Sequence, residues 1–391
     1  MHSRLVGGIL LIVGTSIGAG MLALPVANAA AGFWASSFFL LLCWSLMTCG
    51  AFFILEVNLY LPRGKHMVSM ANATLGLPGL VVTWLSYLLL LYALLSAYIS
   101  GGADVLGGLL AHVHLHPPSS VLVTAFTCIF GWVVYQGIRQ VDLLNRGLMF
   151  AKLGVYVLLV VLISPRVDWH ALQQSHAPKM LGSLMLLMTS FGFAIIVPNL
   201  RDYFDDDIPA LKRVIWIGSL IPLVCYIAWD AVIIGALPAQ GENGLVALMQ
   251  SDHTTSQLAL LLSNTLDNQL ISSLFNFFTS ICMLTAFLGV SLCLLSFLGD
   301  GLNMIQRGTQ GIMLSVLTFL PPLLIVLYYP GAYIHALNYA GYLCVILLLL
   351  LPAMMSYVGR RSFHPQWMVP GGQIVQIILM ISAIMLMMVA T

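Results

Sequence analysis

The feature that most constrains this chain is a succession of long apolar runs, with charged residues confined almost entirely to the connections between them. About 20 apolar residues suffice for an α-helix to cross the hydrocarbon core of a bilayer. The runs are continuous, whereas a membrane barrel needs short alternating strands. The sequence therefore predicts eleven spanning helices, at 5–31, 33–61, 80–110, 121–136, 147–163, 181–200, 214–237, 270–298, 311–328, 334–351 and 373–389.

The charge content excludes a soluble domain. Only 7% of the residues are charged and 60% are hydrophobic, whereas soluble domains carry about 25% charged residues. The net charge of +1 gives no signal for binding nucleic acid. The seven cysteines lie inside apolar runs without a CxxC pair, and the histidines at 112, 114 and 116 lack acidic or cysteine neighbours, so neither a metal nor a cofactor is expected. The prediction is an all-α, multi-pass protein of the lipid bilayer.

Two of the runs are interrupted in the same way. The first contains Gly-Thr-Ser-Ile-Gly-Ala-Gly at 14–20 and the sixth contains Thr-Ser-Phe-Gly-Phe at 189–193, and a proline follows each, Pro25 and Pro198. Glycine is costly inside a helix, and non-helical backbone in a membrane is tolerated where it is buried in protein or lines a wet cavity. Paired interruptions of this kind indicate a transporter's binding site. The alternative is that these glycines only allow close packing of helices.

The positions of the interruptions predict an internal repeat. Spans one and six are each the first of five, and because five is odd the second set must be inverted in the membrane. The whole chain, 1–391, is then one transporter domain of the leucine-transporter type. Its first repeat is 1–165, its second repeat is 180–352, and an eleventh helix is added at 371–391.

Lysine and arginine set the predicted orientation. With the N-terminus inside, twelve of the fourteen basic residues lie on the inner side, and only Arg166 and Lys179 lie outside. Positive residues favour the cytoplasmic side. A bacterial inner membrane protein with a cytoplasmic N-terminus and a periplasmic C-terminus is predicted.

Several motifs resemble those of one family. The chain is similar to bacterial aromatic amino acid permeases, most closely tyrosine-specific ones, of the amino acid-polyamine-organocation superfamily. The resemblance implies symport of an aromatic amino acid, tyrosine before tryptophan or a broader set of neutral amino acids, with a proton rather than sodium as the coupling ion. The matching stretches are Gly14–Pro25, Leu55–Asn58, Ser190–Phe193, Gly218–Pro222, Ala286–Ser291, Phe319–Pro322 and Tyr339–Gly341.

An amino acid zwitterion needs partners for both of its charges. The half-helix after Gly18 presents backbone amides and the positive end of a helix dipole. We expect the substrate carboxylate there, on the amides of Ala19, Gly20 and Met21, with hydroxyl contacts from Thr15 and Ser16. The ammonium is expected on carbonyls freed near Gly14 and at Thr189, Ser190 and Phe191.

The substrate ring needs an apolar wall. Phe191 and Phe193 flank Gly192 at the second interruption, and an aromatic contact contributes on the order of 1 kcal/mol. A substrate phenol needs a hydrogen-bond partner, for which Asn276 and Ser280 of span eight are preferred. Other in-span polar residues remain alternatives: Tyr92, Ser96, His335 and Asn338.

Ionisable residues inside a membrane are functional candidates. In sodium-coupled members of this fold a cation lies between spans one, five and eight. The resemblance implies that Lys152 falls at the place where a lysine of span five puts its ammonium in some proton-coupled relatives. Alternatively, Lys152 extends to the inner surface. Ser291 is a single hydroxyl where a sodium site has two adjacent ones. Glu56 either relays protons or forms a salt bridge with an arginine.

Six further aspartates have weaker interpretations. Asp104 and Asp230 are candidates for gating or proton entry, with a solvated place at the mouth of the protein as the alternative. Residues 205–207, three aspartates in a row, are expected in a solvated inner loop. Asp300 is expected to close an inner gate with Arg4 or another base.

Other classes of function lack their motifs. Asp300 follows Phe297-Leu298-Gly299, which is not the Gly-x-Gly-Asp of intramembrane aspartyl proteases, and no HExxH occurs. An enzyme is therefore not expected. A channel needs repeated filter residues from several subunits, and two inverted interruptions in one chain suit alternating access better.

Overall fold

A computed structural model describes residues 2–111, 114–136, 138–173, 183–241, 244–251, 253–302, 304–305, 307–329, 331–364 and 366–389. These residues form helices and connecting loops, with no strand among them. The α-helices are α1 (His2–Ser16), α2 (Ala19–Asn28), α3 (Phe33–Asn58), α4 (Met67–Ala111), α5 (Ser119–Tyr135), α6 (Ile138–Ile163), α7 (Trp169–Gln173), α8 (Leu184–Ser190), α9 (Val197–Tyr203), α10 (Ile208–Ala236), α11 (Thr254–Leu266), α12 (Gln269–Leu302), α13 (Gly308–Tyr328), α14 (Ala332–Val345), α15 (Leu351–Gly359) and α16 (Gly372–Val389). Short 3₁₀ segments occur at Ser164–Arg166, Gly192–Ile196 and Ala247–Gln250, and a π-helical turn joins α14 to α15 at Ile346–Leu350.

The predicted class, an all-α membrane protein, is confirmed. Within the described ranges nine spans are long and apolar enough to cross a membrane, and α1 with α2 forms a tenth that is bent by 53°. The shorter α5, with 17 residues, accounts for the remaining predicted run. The long polar connection after α10 contains the 3₁₀ turn at Ala247–Gln250 and helix α11.

Helix ends differ from the predicted spans where a helix continues beyond its apolar part. Helix α4 starts at Met67 instead of residue 80 and kinks at Gly76, whose φ of 69° lies in the left-handed region that glycine tolerates. Helix α6 starts at Ile138 instead of residue 147. Its first turns contain charged residues, and for that reason the hydropathy of the sequence did not include them in the span. Hydropathy detects the part of a helix that suits lipid, and not the polar turns that extend it.

The two interrupted spans pack together in the middle of the bundle. Helix α1 packs on α10, α2 packs on α8, and α8 packs on α14. At Gly341 of α14 an added Cβ would lie 2.0 Å from the carbonyl oxygen of Met185, so only glycine permits this approach to α8. At Gly20 an added Cβ would lie 3.2 Å from the Ser190 hydroxyl. The first and second interruptions are therefore in direct proximity.

One end of the bundle, here called the arginine face, is closed by ion pairs around Asp205. Arg4 at the start of α1 lies 3.0 Å from Asp205, and Arg63 lies 2.9 Å from both Asp205 and Asp206. Hydrogen bonds from Arg4 and then Arg63 lower the pKa of Asp205 below its ordinary value. Arg201 pairs with Asp206 at 2.6 Å. Asp205 is 59% exposed, as expected for a solvated loop, but it is also paired with arginines, and the partner of Arg4 is Asp205 instead of Asp300.

The opposite end, here called the α11 face, is held by Asp104. Its carboxylate accepts bonds from the Ser256 amide at 2.9 Å, the Ser256 hydroxyl at 2.6 Å and the Thr255 hydroxyl at 2.5 Å, and the His253 ring lies 3.2 Å away. Asp104 thereby caps the first turn of α11 from a different helix. Its side chain is only 8% exposed, so the solvated alternative is wrong for this residue. A cavity of about 450 Å³ beside it is lined by α4, α5, α11 and α12.

Candidate functional site

The first interruption exposes backbone groups of both signs. Helix α1 ends at Ser16, Gly18 is extended with φ −155° and ψ −149°, and α2 starts at Ala19. The last carbonyls of a helix and its first amides have no partner within the helix. The amide of Met21 already donates to the Gly18 carbonyl at 3.2 Å. Of the three predicted carboxylate-binding amides, those of Ala19 and Gly20 are better placed for a ligand.

Lys152 of α6 reaches into this interruption. Its ammonium donates to the Ile17 carbonyl at 2.5 Å and lies 3.5 Å from the Gly14 carbonyl. The residue is 1% exposed, so it does not extend to either surface. The negative end of the α1 dipole stabilises a cation at this place. The structure thus puts a buried positive charge on the carbonyls of the broken span.

The second interruption is a change of helix type more than an open break. Helix α8 ends at Ser190, and the chain continues from Gly192 as a 3₁₀ helix into α9. The Phe191 amide donates to the Met188 carbonyl at 3.1 Å, and the Thr189 hydroxyl donates to the Leu337 carbonyl of α14 at 2.8 Å. A 3₁₀ turn still alters the regular bonding of an α-helix. The predicted place of the interruption is confirmed, although less backbone is freed than in the first span.

Tyr226 of α10 connects the two interruptions. Its hydroxyl lies 2.6 Å from the Ser16 carbonyl oxygen and 2.8 Å from the Ser190 carbonyl oxygen, so it shares one proton between them. The Phe191 ring packs on the Tyr226 ring in a T-shaped arrangement, with 5.1 Å between the centroids. A second phenol, that of Tyr333, donates to the Ala19 carbonyl at 2.5 Å. Buried tyrosine hydroxyls need partners, but the sequence does not show which carbonyls provide them, and both residues were missed.

The hydroxyls predicted for the site divide into two groups. Those of Thr15 and Ser190 donate to carbonyls of their own helices, Ile12 at 2.9 Å and Leu186 at 3.1 Å. The hydroxyls of Ser16 and Ser291 are buried without a hydrogen-bond partner within the described part of the chain. A buried unpaired polar atom costs about 1–3 kcal/mol. Ser16 is therefore well suited to bind a ligand at the first interruption.

The structure places Asn276 and Glu56 away from the interruptions and shows the Ser280 hydroxyl bonded within its own helix. Asn276 lines the cavity beside Asp104, and the Ser280 hydroxyl donates to the Asn276 carbonyl at 2.7 Å within α12. Glu56 lies at the arginine face, fully buried, where Arg360 donates two bonds of 2.7 Å to it. The backbone amide of Val369 and the hydroxyls of Ser356 and Tyr60 also donate to the Glu56 carboxylate. The geometry of Glu56 is that of the salt-bridged alternative, and not of an acid open to a proton path.

The residues brought together fit a small zwitterion with an apolar side chain. Helix-start amides lie at Ala19 and Gly20, carbonyls lie at Ser16 and Ser190, and fully buried Phe191 provides a ring. Such helix ends bind anionic and cationic groups of substrates at the middle of a bilayer. Among the described residues no cluster of three metal-ligand types occurs. The arrangement supports binding and movement of a charged solute, without a group set for covalent chemistry.

Comparison with known proteins points the same way. The model of the tryptophan/tyrosine permease family matches residues 1–390. Tyrosine-specific transport system 1 of Haemophilus influenzae is 32% identical over 98% of this chain and 96% of its own length. The tryptophan-specific transport protein of Pseudomonas aeruginosa is 30% identical over 92% of this chain and 87% of its own length. Glutamine transporter 2 of Aliivibrio fischeri is 29% identical over 93% of this chain and 91% of its own length.

Proposed function

This chain belongs to the tryptophan/tyrosine permease family, and we propose that it imports an aromatic amino acid, tyrosine first, across a bacterial inner membrane in symport with protons. The single observation that carries the proposal is the meeting of two interrupted spans at Tyr226, with the Lys152 ammonium on the carbonyls of the first. The two repeats, 1–165 and 180–352, are inverted in this proposal. The arginine face is cytoplasmic because basic residues favour that side.

The substrate backbone binds between the interruptions. Its carboxylate lies on the amides of Ala19 and Gly20, where a helix start favours negative charge. Its ammonium lies near the Ser16 hydroxyl and the carbonyls that Tyr226 now occupies. The closed arginine face and the buried state of these groups correspond to an occluded conformation. Opening of one face at a time gives alternating access.

The Tyr226 hydroxyl is expected to fix the spacing of the two interruptions. Tyr226→Phe leaves two buried carbonyls without their donor, which costs about 1–3 kcal/mol for each group. We expect the Kd for tyrosine, measured by scintillation proximity with purified protein, to rise by about tenfold. Tyr156→Phe is the matched control, since it removes a buried phenol whose 2.9 Å bond goes to Cys225 instead. Equal affinities of both variants and the parent protein would exclude this role for Tyr226.

The Phe191 ring is expected to contact the substrate side chain. Phe191→Ala removes an aromatic wall, and an aromatic pair contributes about 0.5–1.5 kcal/mol beyond its buried area. We expect the Kd for tyrosine to rise by about tenfold. The loss in free energy of unfolding should be smaller than the loss in free energy of binding. Phe193→Ala is the control, because Phe193 is equally buried two residues further along. If both variants lose stability and neither loses affinity, Phe191 is a packing residue only.

Lys152 accounts for proton coupling. Its ammonium already occupies the Gly14 and Ile17 carbonyls of span one, so a sodium ion bound at the same place would have to displace it. A buried lysine loses its proton more readily than an exposed one. Loss of that proton removes the bonds to the first interruption and so links protonation to the conformation of α1 and α2. Sodium coupling is the alternative.

Uptake by proteoliposomes tests the proposal. Labelled tyrosine is offered under an inward proton gradient and, separately, under an inward sodium gradient. Competition by unlabelled tryptophan, phenylalanine and glutamine then ranks the substrates, because a relative of this chain is a glutamine transporter. We expect saturable tyrosine uptake that needs the proton gradient. No saturable uptake of any aromatic amino acid under either gradient would overturn the proposal.

A further inference from the structure

A second buried ionisable group lies in the half of the protein nearer the α11 face. Asp230 of α10 is 0% exposed, and its carboxyl oxygen Oδ2 accepts a bond of 2.6 Å from the amide nitrogen of Asn28. Asn28 is the last residue of α2, the mobile half of the broken first span in the proposed cycle. The solvated alternative is therefore wrong for Asp230 as it is for Asp104.

The pair leaves two oxygens without a donor. Oδ1 of Asp230 and Oδ1 of Asn28 are both buried and have no hydrogen-bond partner in the part of the chain that the structure describes. Each of these atoms can only accept while the acid is ionised. A proton on Asp230 turns one of these acceptor oxygens into a donor, which lowers the number of buried acceptors that lack a donor. A hard metal cation, in contrast, binds several oxygens at once, and two do not suffice.

Within the described part of the chain no base pairs with Asp230. Lys, Arg and His side chains of the described residues all lie beyond 4.0 Å from it, since it forms no ion pair. An isolated buried carboxylate is far costlier than a neutral carboxyl group. Helix α10 also carries Lys212, Arg213, Cys225 and Tyr226. Among residues with described side chains, the titratable or charged ones on the elements packed against α10 are Arg4, Cys43, Cys49, Glu56, Lys152, Tyr156, Arg166 and His170.

A cavity near the α11 face lies close to the pair. It has a volume of about 340 Å³ and is lined by Ala29 and Ala30, directly after Asn28, and by Ile234, one helical turn after Asp230. The neighbouring Trp229 ring packs against Tyr156, with 6.0 Å between the ring centroids, and against Phe278 at 5.5 Å. The chain neighbours of both members of the pair thus border a space at the α11 face.

From this geometry we infer that Asp230 is a proton-binding site distinct from Lys152. It takes up its proton from the α11 face, and its protonation changes the position of α2 through the contact with Asn28. The inference rests on the proposed transport function. The step is a simple protonation: a carboxylate and a proton give a carboxylic acid, which pairs with the Asn28 amide and holds the end of α2 against α10. Loss of the proton leaves a buried charge with the Asn28 amide as its donor, so the ionised state is stabilised when this end of α2 opens to water. Outward opening and proton exchange are thereby the same event.

Infrared spectroscopy of the full-length protein in lipid tests the site directly. We expect a carbonyl stretch of a protonated carboxyl group at neutral pH, absent in Asp230→Asn and retained in Asp104→Asn. Asp104 is the matched control because it is another largely buried acid, 8% exposed, whose carboxylate accepts three bonds from Thr255 and Ser256. An unchanged band in Asp230→Asn, or no such band in the parent protein, overturns the inference.

Transport gives the second readout. Asp230→Asn imitates the protonated state, so exchange of labelled for unlabelled tyrosine is expected to continue while accumulation under a proton gradient falls at least tenfold. Accumulation equal to that of the parent protein overturns the inference. If the parent protein exchanges no amino acid, the proposed function fails, and the infrared result still decides whether Asp230 holds a proton. If Asp230→Asn does not fold, Asn28→Ala is used: the band must shift, and an unshifted band contradicts the pairing.

Discussion

Replacing Lys152 by alanine is expected to abolish accumulation of tyrosine under a proton gradient. The ammonium is the donor to the Ile17 and Gly14 carbonyls at the first interruption, and the residue is 1% exposed. Among the described residues no other titratable side chain donates to these carbonyls, so in the proposed mechanism proton movement would no longer change the conformation of α1 and α2. The measurement is the steady-state ratio of internal to external tyrosine in proteoliposomes, which should fall to one.

Two controls separate coupling from folding. Lys152→Met retains most of the side-chain volume without the charge, and should show the same loss. Exchange of labelled for unlabelled tyrosine requires no net proton movement, and it should persist in any variant that remains folded. Accumulation at the level of the parent protein by Lys152→Ala would remove the lysine from the coupling mechanism. A gain of sodium-dependent uptake in the alanine variant would show that the freed carbonyls accept a metal cation.

The sequence was sufficient to locate the backbone features of this protein. Glycine is unfavourable in a helix wherever it occurs, so the interruption at 14–20 is visible without any knowledge of the packing. A lysine in an apolar run is equally conspicuous, and Lys152 was found for that reason. Helix class and span number follow from the length of the apolar runs, whereas the polar first turns of α4 and α6 do not.

Partners across the bundle were not predictable, because they depend on tertiary packing. Tyr226 lies 36 residues from one of its carbonyl partners and 210 from the other. Asn28 and Asp230 are 202 residues apart, and neither belongs to a motif. Asn276 and Ser280 were preferred as hydrogen-bond partners of a substrate phenol without knowledge of which face of α12 they occupy. In the structure Asn276 lines the cavity beside Asp104. A side chain on a helix can pack against any of several neighbouring helices. When all of these helices are apolar, hydropathy does not show which one it contacts.

Glu56 is a buried acid that joins helices through an ion pair. Its removal is expected to have the second large effect, a strong loss of thermal stability. Its carboxylate is 0% exposed and accepts bonds from Arg360, from the Val369 amide and from the Ser356 and Tyr60 hydroxyls. These contacts join α3 to α15 and to the segment that leads into α16. Removal of one partner of a buried ion pair destabilises a protein by about 3–5 kcal/mol, because the other charge stays buried and unpaired.

We therefore expect Glu56→Ala and Arg360→Ala each to lower the thermal stability of the protein in detergent strongly, and the double variant to lose much less than the sum of the two. Arg361→Ala is the matched control: Arg361 is exposed, and its guanidinium lies over the Tyr357 ring, 5.3 Å from the centroid. Glu56→Gln keeps the shape of the carboxyl group and removes its charge. Because an anchor does not take up protons during transport, the glutamine variant should retain the pH profile of tyrosine uptake at reduced stability. A shifted pH profile in a stable glutamine variant would instead return Glu56 to the proton path, since a group that only joins helices has no means of changing the pH at which transport is half-maximal.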